Sequence, residues 1–407
     1  MISARQFVNC GRLIAGGLVW ICAGVASGQY ARVNPSHSFA PDQCGPADPA
    51  YIRTSNETGG IPLFLQRSEA GKAMQLMRES TRENVSTVLW ASAKLTGSTQ
   101  TFEIPVDSVA QRITFTFSVD TKGSRLVLTD PNGKEAAAGL LRTEDTELNC
   151  GRIITIEKPA TGIWRAKVNG SGTYWLEVEA QSDIYFIKAE FVELGGRLGH
   201  EGLFKIHGQP VAGKPATLQV SLSAADAKTT EFAFVSEHGD LLQRLRLAPS
   251  DNDREFLEFT GDVDLPTVPF RIEVKGRDVN GTPYQRFNGP LFHAETVQVI
   301  PKLDFDEVSP GATRDAIFEV KNTGAARSFK VLASDARRFI TGVEPQELQI
   351  GANETALVRI RLAVPSTSAE NVEDDLVIVA TSTSGEATTN SAIVHVSVAS
   401  ISVGESR

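Results

Sequence analysis

The residues in this chain best suited to chemistry are dispersed. Its six histidines, His37, His200, His207, His238, His293 and His395, never fall within four residues of one another. No helical zinc pair or His-rich clip can therefore form locally. His200 and His207 come nearest, flanking a Gly-rich hinge and a strand start, where an imidazole ordinarily satisfies local hydrogen bonds. Carboxylates gather in three loops: Asp251-Asn-Asp253 with Glu255, Asp304-Phe-Asp306-Glu307, and Glu373-Asp-Asp375. Calcium takes six to eight oxygens, and none of these spacings matches the twelve-residue calcium loop. Solvated turns between strands are the ordinary reading. If calcium binds anywhere, Asp304, Asp306 and Glu307 are the first choice; otherwise no cofactor is expected. A Gly-x-Ser-x-Gly elbow, a phosphate loop and a dinucleotide fingerprint are all absent from the sequence.

Four aromatic residues, Trp164, Tyr174, Trp175 and Tyr185, offer flat rings of the kind that stack on pyranose faces. Alternation divides them. Tyr174 and Trp175 are successive residues of one strand and must point to opposite faces, so one of the two belongs to a core. Trp164, between Ile163 and Ala166 at a strand start, is expected in the core as well. Tyr174, Trp175 and Tyr185 remain as ligand-binding candidates.

The elements that must position these rings are strands. Between Thr101 and Phe191, large apolar residues recur at every second position in Ile113–Val119, Ser124–Thr129, Gly162–Val168 and Gly172–Glu179. Asp130-Pro-Asn-Gly133 is a tight turn, because Pro fixes φ and Asn-Gly tolerates positive φ. Short strands at Ala216–Leu222, Phe232–Val235 and Phe270–Val274 predict a second, immunoglobulin-like sandwich. A third follows from Ala316–Val320, Ala356–Val364, Leu376–Thr381 and Ala392–Val398. Only Ser68–Arg78 reads as a helix, with Ser68 as its cap and Ala70, Ala73, Met74 and Met77 as its buried stripe. Thr58–Leu65 before it and Ser86–Ala93 after it read as short strands.

At its start the chain has Arg5 and Arg12, then the apolar run Leu13–Ala23, then small residues ending at Ala26 and Gly28. This pattern predicts a secretory signal peptide cleaved between Gly28 and Gln29, the run being shorter than a bilayer span of about 20 residues. Export would leave two cysteines, Cys44 in a polar lead-in and Cys150 before a strand. A disulfide between them would close a loop of about 106 residues and contribute up to about 4.7 kcal/mol through chain entropy. Two free buried thiols or an intermolecular bridge are the alternatives. Losing Arg5 and Arg12, two cations and no acid, takes the formal charge from −9 to −11. So acidic a surface disfavours nucleic acid and anionic membranes. Asn-x-Ser/Thr sequons stand at Asn56, Asn84, Asn169 and Asn353.

The Asp130–Gly133 turn followed by Gly162-Ile-Trp and Gly172-Thr-Tyr-Trp-Leu-Glu-Val resembles the galactose-binding-like sandwich of hemicentins and related von Willebrand factor A-domain proteins. Pro269-Phe270, Val274-Lys-Gly-Arg-Asp-Val-Asn-Gly281 and Tyr284-Gln-Arg286 are similar to the ending of the hemicentin-family domain that follows it. Tyr51, Thr58-Gly-Gly and Leu63-Phe-Leu65, with the helix behind them, look like the end of an A domain. The Asp-x-Ser-x-Ser motif that holds the metal of an A domain is absent from the sequence, so the resemblance implies no metal-dependent adhesion.

The resulting expectation is an all-β protein of three β-sandwiches in tandem with a small α/β N-terminal extension. Its parts are a signal peptide (1–28), the extension (29–95), a galactose-binding-like sandwich (96–196), two Ig-like sandwiches (203–298 and 299–400) and a tail (401–407). The resemblance implies a secreted, non-catalytic adhesion or binding protein with an extracellular protein or glycan as partner, no nucleic acid and no membrane insertion. In a bacterium without further export the location would be periplasmic. The oligomeric state stays open. A carbohydrate-binding accessory protein acting through 96–196, and an extracellular hydrolase with a dispersed site, are the alternatives.

Overall fold

The computed structural model describes residue 44 and residues 48–136, 143–196, 201–224, 226–250, 256–303 and 305–399. The expected signal peptide, the acidic loop 251–255, Asp304 and His200 lie outside these residues. The protein is all-β. Among the described residues, helix is confined to the N-terminal extension and strands fill the remainder.

The extension departs from its expected form in three places. Helix α1 (Pro49–Thr58) stands where no helix was expected. Asp48 caps it by accepting from the Ala50 N–H at 2.9 Å, and Pro49 supplies a preset helical φ. It ends on Gly59 at φ 89°, where an added Cβ would lie 2.3 Å from the Gly289 carbonyl oxygen, so only glycine fits. Residues 61–66 then run without strand pairing, in place of the short strand expected there. A 3₁₀ turn (Arg67–Glu69) closes a capping box in which the Gln66 N–H donates to Glu69 Oε2 at 2.9 Å, and helix α2 (Ala70–Ser80) follows. The 3₁₀ turn displaces the expected Ser68 cap. Of the expected stripe, Ala70 and Met74 are exposed and the side chains of Ala73 and Met77 lie outside the described ones; Leu76, which the stripe did not include, is buried.

The chain divides into two compact units. The larger includes residues 48–190 and 217–292. Its strands are β1 (Val85–Thr96), β2 (Gln100–Val106), β3 (Arg112–Val119), β4 (Arg125–Thr129), β5 (Thr143–Leu148), β6 (Gly151–Glu157), β7 (Gly162–Asn169) and β8 (Ser171–Gln181). Strand β9 (Phe186–Gly195) carries the chain into the smaller unit, where its end pairs with β10 (Gly202–Lys205). The larger unit resumes with β11 (Ala216–Leu222), β12 (Glu231–Ser236), β13 (Leu241–Leu245), β14 (Ala248–Pro249), β15 (Leu257–Val263), β16 (Phe270–Arg277) and β17 (Pro283–Phe287).

One nine-stranded sheet, in the order β13-β12-β16-β17-β1-β8-β3-β6-β5, runs through this unit. Its β1–β5 end faces the three-stranded sheet β2-β7-β4 across a core that includes Ile104, Phe115, Phe117, Leu128, Ile154, Trp164, Leu176 and Val178. Its other end is held by ring pairs, Phe232 on Phe259 at 4.9 Å and Phe234 on Phe270 at 4.5 Å between centroids. The seam is the pairing of β1 with β17, Thr87 opposite Phe287, to which the Gln285 amide adds a bond to the Val88 carbonyl at 3.0 Å.

Side chains of the Asp278–Arg286 stretch clamp that seam. Arg286 and Asp107 form an ion pair with side chains 0% and 1% exposed. Arg286 also donates from Nε to the Ile184 carbonyl at 2.8 Å, and Ser182 Oγ donates to Asp107 at 2.9 Å. Asp278 accepts from the Ser108 N–H at 2.7 Å and the Ser108 hydroxyl at 2.6 Å, while binding its own turn through the Asn280 and Thr282 N–H groups. The stretch that resembles a hemicentin-family ending is thus a structural fastening. A buried pair so well supplied with hydrogen bonds fixes geometry, and loss of either partner strands a charge.

The smaller unit holds a sandwich of β18 (Val297–Pro301), β19 (Glu307–Val308), β20 (Thr313–Asn322), β21 (Arg327–Ser334), β22 (Ile340–Glu344), β23 (Glu347–Ile350), β24 (Thr355–Ala363), β25 (Glu373–Ser382) and β26 (Thr389–Val398). Sheets β18-β20-β24-β22 and β19-β26-β25-β21-β23 enclose Phe318, Phe329, Val331, Ile360, Leu376 and Ile378. Asn322 is fully buried and fixes the turn after β20 by donating to the Ala325 and Gly351 carbonyls at 2.8 and 3.0 Å. In the larger unit Cys44 and Cys150 form a disulfide with Cα atoms 5.9 Å apart, tying the start of the extension to the head of β6.

Candidate functional site

The structure separates the three candidate rings. Tyr174 is 1% exposed, lies in the core between the two sheets near Phe102, and gives its hydroxyl to Gln100. Burial pushes its phenol up to about 12. Trp175 points to the opposite face, as alternation requires, yet it is only 4% exposed. It sits in a separate cluster with Trp90 and Ile61, with Phe64 of the extension 5.6 Å from its ring. Tyr185 is half-buried at the chain's exit from β8, and its backbone exchanges hydrogen bonds with Ser223. Tyr174, Trp175 and Tyr185 share no common face, and Tyr174 is the member of the strand pair that belongs to the core. Core packing claimed Tyr174, and the extension covers Trp175.

What the structure does assemble is the outward face of β1, β8, β3 and β6. Trp175 stands opposite Ser92 on one side and Ser118 on the other. One register step along, Glu177 stands between Trp90 and Thr116; one further, Thr114 stands between Glu179 and Thr155. These are residues that ordinarily face water on an antiparallel sheet. Here Ser92, Thr114, Thr116, Ser118, Thr155, Glu177 and Glu179 are all buried.

The extension supplies the cover. It lies on Trp90 and Trp175 through Ile61, Leu63 and Phe64, and Gly60 accepts from the Trp90 Nε1–H at 3.2 Å. It then reaches the β5 side, where Lys72 bonds the Glu147 carbonyl, Arg78 pairs with Glu144, and Glu69 accepts from the Asn149 N–H at 2.6 Å. Arg82 brings it back beside Arg112, Thr114 and Glu179. The fit is incomplete. Trp175 Nε1 and Ser118 Oγ are buried without a hydrogen-bond partner. Burial and the neighbouring Glu179 push the Glu177 carboxyl well above the usual carboxylate range.

Arg271, beside this face, escaped the sequence analysis. It is 2% exposed, stacks 4.1 Å over the Trp90 ring, and donates to the Gly289 and Asn56 carbonyls at 3.2 and 2.7 Å. Burial lowers its guanidinium to about 10. An arginine in an alternating strand, Phe270-Arg-Ile-Glu-Val, reads as a solvated position. Nothing local announces that helix α1 closes over it.

Asp306 and Glu307 are exposed, the Asp306 carbonyl accepts from the Ser397 N–H at 2.9 Å, and Asp304 lies outside the described residues. Among the described residues no group of three or more His, Cys, Asp or Glu could hold a metal ion. The third acidic stretch, expected as a loop, begins strand β25, where Asp374 is buried and accepts from the N–H groups of Ala336, Arg337 and Asp375. Burial and the adjacent Asp335 carboxyl push Asp374 up to about 6. Asp375 next to it pairs with His395.

Among the described residues no helix is long and apolar enough to cross a membrane. No curated protein matches the chain. Solved structures similar to parts of it include the lipase BlEst2 of Bacillus licheniformis in its propeptide form, at 11% identity and TM-score 0.24 over 55% of this chain and 47% of that one. Dimeric latent PorU of Porphyromonas gingivalis aligns at 10% identity and TM-score 0.21 over 78% of this chain and 35% of that one. A tetra-tandem repeat from the extending region of a large adhesion protein aligns at 12% identity and TM-score 0.19, over 75% and 74%. The chain spans less than half the length of the first two, and likenesses at these scores bear on neither fold nor function. Family models are specific where these are not. Residues 86–183 match the hemicentin galactose-binding domain-like family, and residues 298–400 match the VWA7 Ig-like domain.

Proposed function

We propose that this is a secreted, non-catalytic binding protein of hemicentin-like type that engages an extracellular protein through outward strand faces of its C-terminal sandwich. One observation carries the reading. Leu332 on β21, Val379 and Val377 on β25, and Ile393 on β26 share the face of that sheet turned away from its core, and Leu332 and Ile393 are 57% and 49% exposed. A contiguous apolar row rimmed by polar residues marks an interaction surface. The matched domains support a binding role in general, and the disulfide supports an oxidising compartment.

The test is retention of a partner from the native extracellular fraction by the intact protein and by the Leu332→Lys/Ile393→Lys variant. Loss in the variant, with an unchanged thermal midpoint, is expected. Equal retention of the same partner by both would overturn the assignment to this face.

A second reading, glycan binding through the 96–196 sandwich, is favoured by one observation: Trp175 shares its strand face with Ser92, Ser118, Glu177 and Thr116.

A further inference from the structure

We propose that residues 48–80 are a displaceable cover over a face of the galactose-binding-like sandwich that takes a neutral oligosaccharide. The proposal rests on the second reading above and adds its ligand class and its control. Its ground is a mismatch between what the face is made of and where it lies. β3 and β8 alternate, and their outward residues, Thr114, Thr116 and Ser118 on one and Trp175, Glu177 and Glu179 on the other, are those of a wetted or ligand-bearing surface. All six are buried. Two of them, Trp175 and Ser118, keep a polar atom with no partner, which a permanently sealed interface would be expected to satisfy.

The cover is held unevenly. Its apolar contacts with Trp90 and Trp175 come from Ile61, Leu63 and Phe64, and Leu76 of α2 is buried. At the β5 rim the Glu69 carboxylate accepts from the Asn149 N–H, Lys72 donates to a carbonyl, and Arg78 pairs with Glu144, the side chains of that pair being 58% and 52% exposed. Such exposed pairs hold weakly. The matched galactose-binding-like domain begins at residue 86, beyond the cover.

The uncovered chemistry selects the ligand. A flat indole offers a stacking platform for a sugar ring. Serine and threonine hydroxyls both give and accept hydrogen bonds, as sugar hydroxyls do. Glu177 and Glu179 side by side accept from hydroxyls and would repel a sulfated or carboxylated chain.

The experiment uses the full chain carrying Ser118→Cys as a reporter of opening, with and without Leu76→Asp. Glu69→Ala, which removes the rim bond to Asn149 together with the capping-box bond to Gln66, serves as a milder second variant. Thiol labelling with a maleimide reads exposure of the face, and an array of neutral and anionic oligosaccharides reads binding. Both loosening variants are expected to label at least 10-fold faster with unchanged circular dichroism. They are also expected to gain binding to neutral glycans, which Trp175→Ala removes while labelling stays fast. Labelling that neither variant accelerates would overturn the cover. Fast labelling without any gain in glycan binding would overturn the ligand class, and the glycan reading with it.

Discussion

The two matched sandwiches use the same strand grammar and treat it differently. In the C-terminal sandwich, β20 buries every second residue from Ala316 to Asn322 and leaves the rest at least partly accessible. In the galactose-binding-like sandwich, β3 alternates just as cleanly between threonine and phenylalanine, yet every residue from Ile113 to Val119 is buried. Alternation therefore reports which side of a strand meets its own core. It does not report what a distant segment lays over the other side. The same contrast extends to charge. Arg361 of the C-terminal sandwich pairs with Asp315 near the surface, whereas Arg286 and Asp107 pair in the interior.

Breaking that contrast at its strongest point is expected to have the largest effect. Arg286→Ala leaves Asp107 buried without its cation, and the denaturant midpoint of the larger unit should fall by an amount corresponding to about 3–5 kcal/mol. A loss below about 1 kcal/mol would show that the seam is not fastened there. Cys44→Ser opens a loop with a sequence separation of 106, and the cost should be about 2–5 kcal/mol. The C-terminal sandwich should be untouched, which separate unfolding transitions followed by calorimetry would reveal.

A pH series sharpens the comparison from the other side. Asp374 has a folded-state value raised to about 6 from an ordinary 3.8. Its contribution to stability is therefore fully present below about pH 4 and lost as pH rises through about 6. Asp335 shares the site, and the Asp375–His395 pair adjoins it. Relative to the native protein, Asp374→Asn should flatten the fall in the C-terminal midpoint between pH 4 and pH 7; an unchanged slope would place the titrating group elsewhere. The smallest effect is expected from Arg361→Ala, about 0–1 kcal/mol for a surface pair and weaker still at high salt.

The all-β plan was legible because strand periodicity and turn chemistry are local. Asp130 accepts from the Asn132 and Lys134 N–H groups, as the Asp-Pro-Asn-Gly turn required, and Trp164 lies in the core. Helix α1 was equally local and passed unread, although Asp48-Pro49 and Gly59 bracket it as a cap, a first-turn proline and a left-handed stop. The start of α2 was illegible for a different reason. It follows the Gln66–Glu69 capping box, and Glu69 also bonds Asn149, a contact 80 residues away in sequence. The surroundings of Trp175 and Arg271 were the least legible, because their burial depends on where residues 49–66 cross the sheet. No pattern within β8 or β16 carries that information.

The β1–β17 pairing has a consequence for modularity. Residues 86–183 are recognisable as a domain, but β1 is an interior strand of a larger sheet, with β8 on one side and β17 on the other. Excised at those bounds, the segment would trade an interior strand for a long open edge, the kind that pairs with a neighbouring molecule. It would also keep Asp107 and lose Arg286. The unit that evolution can duplicate or shuffle intact is therefore longer than the unit that sequence comparison delimits, and extends at least to Phe287.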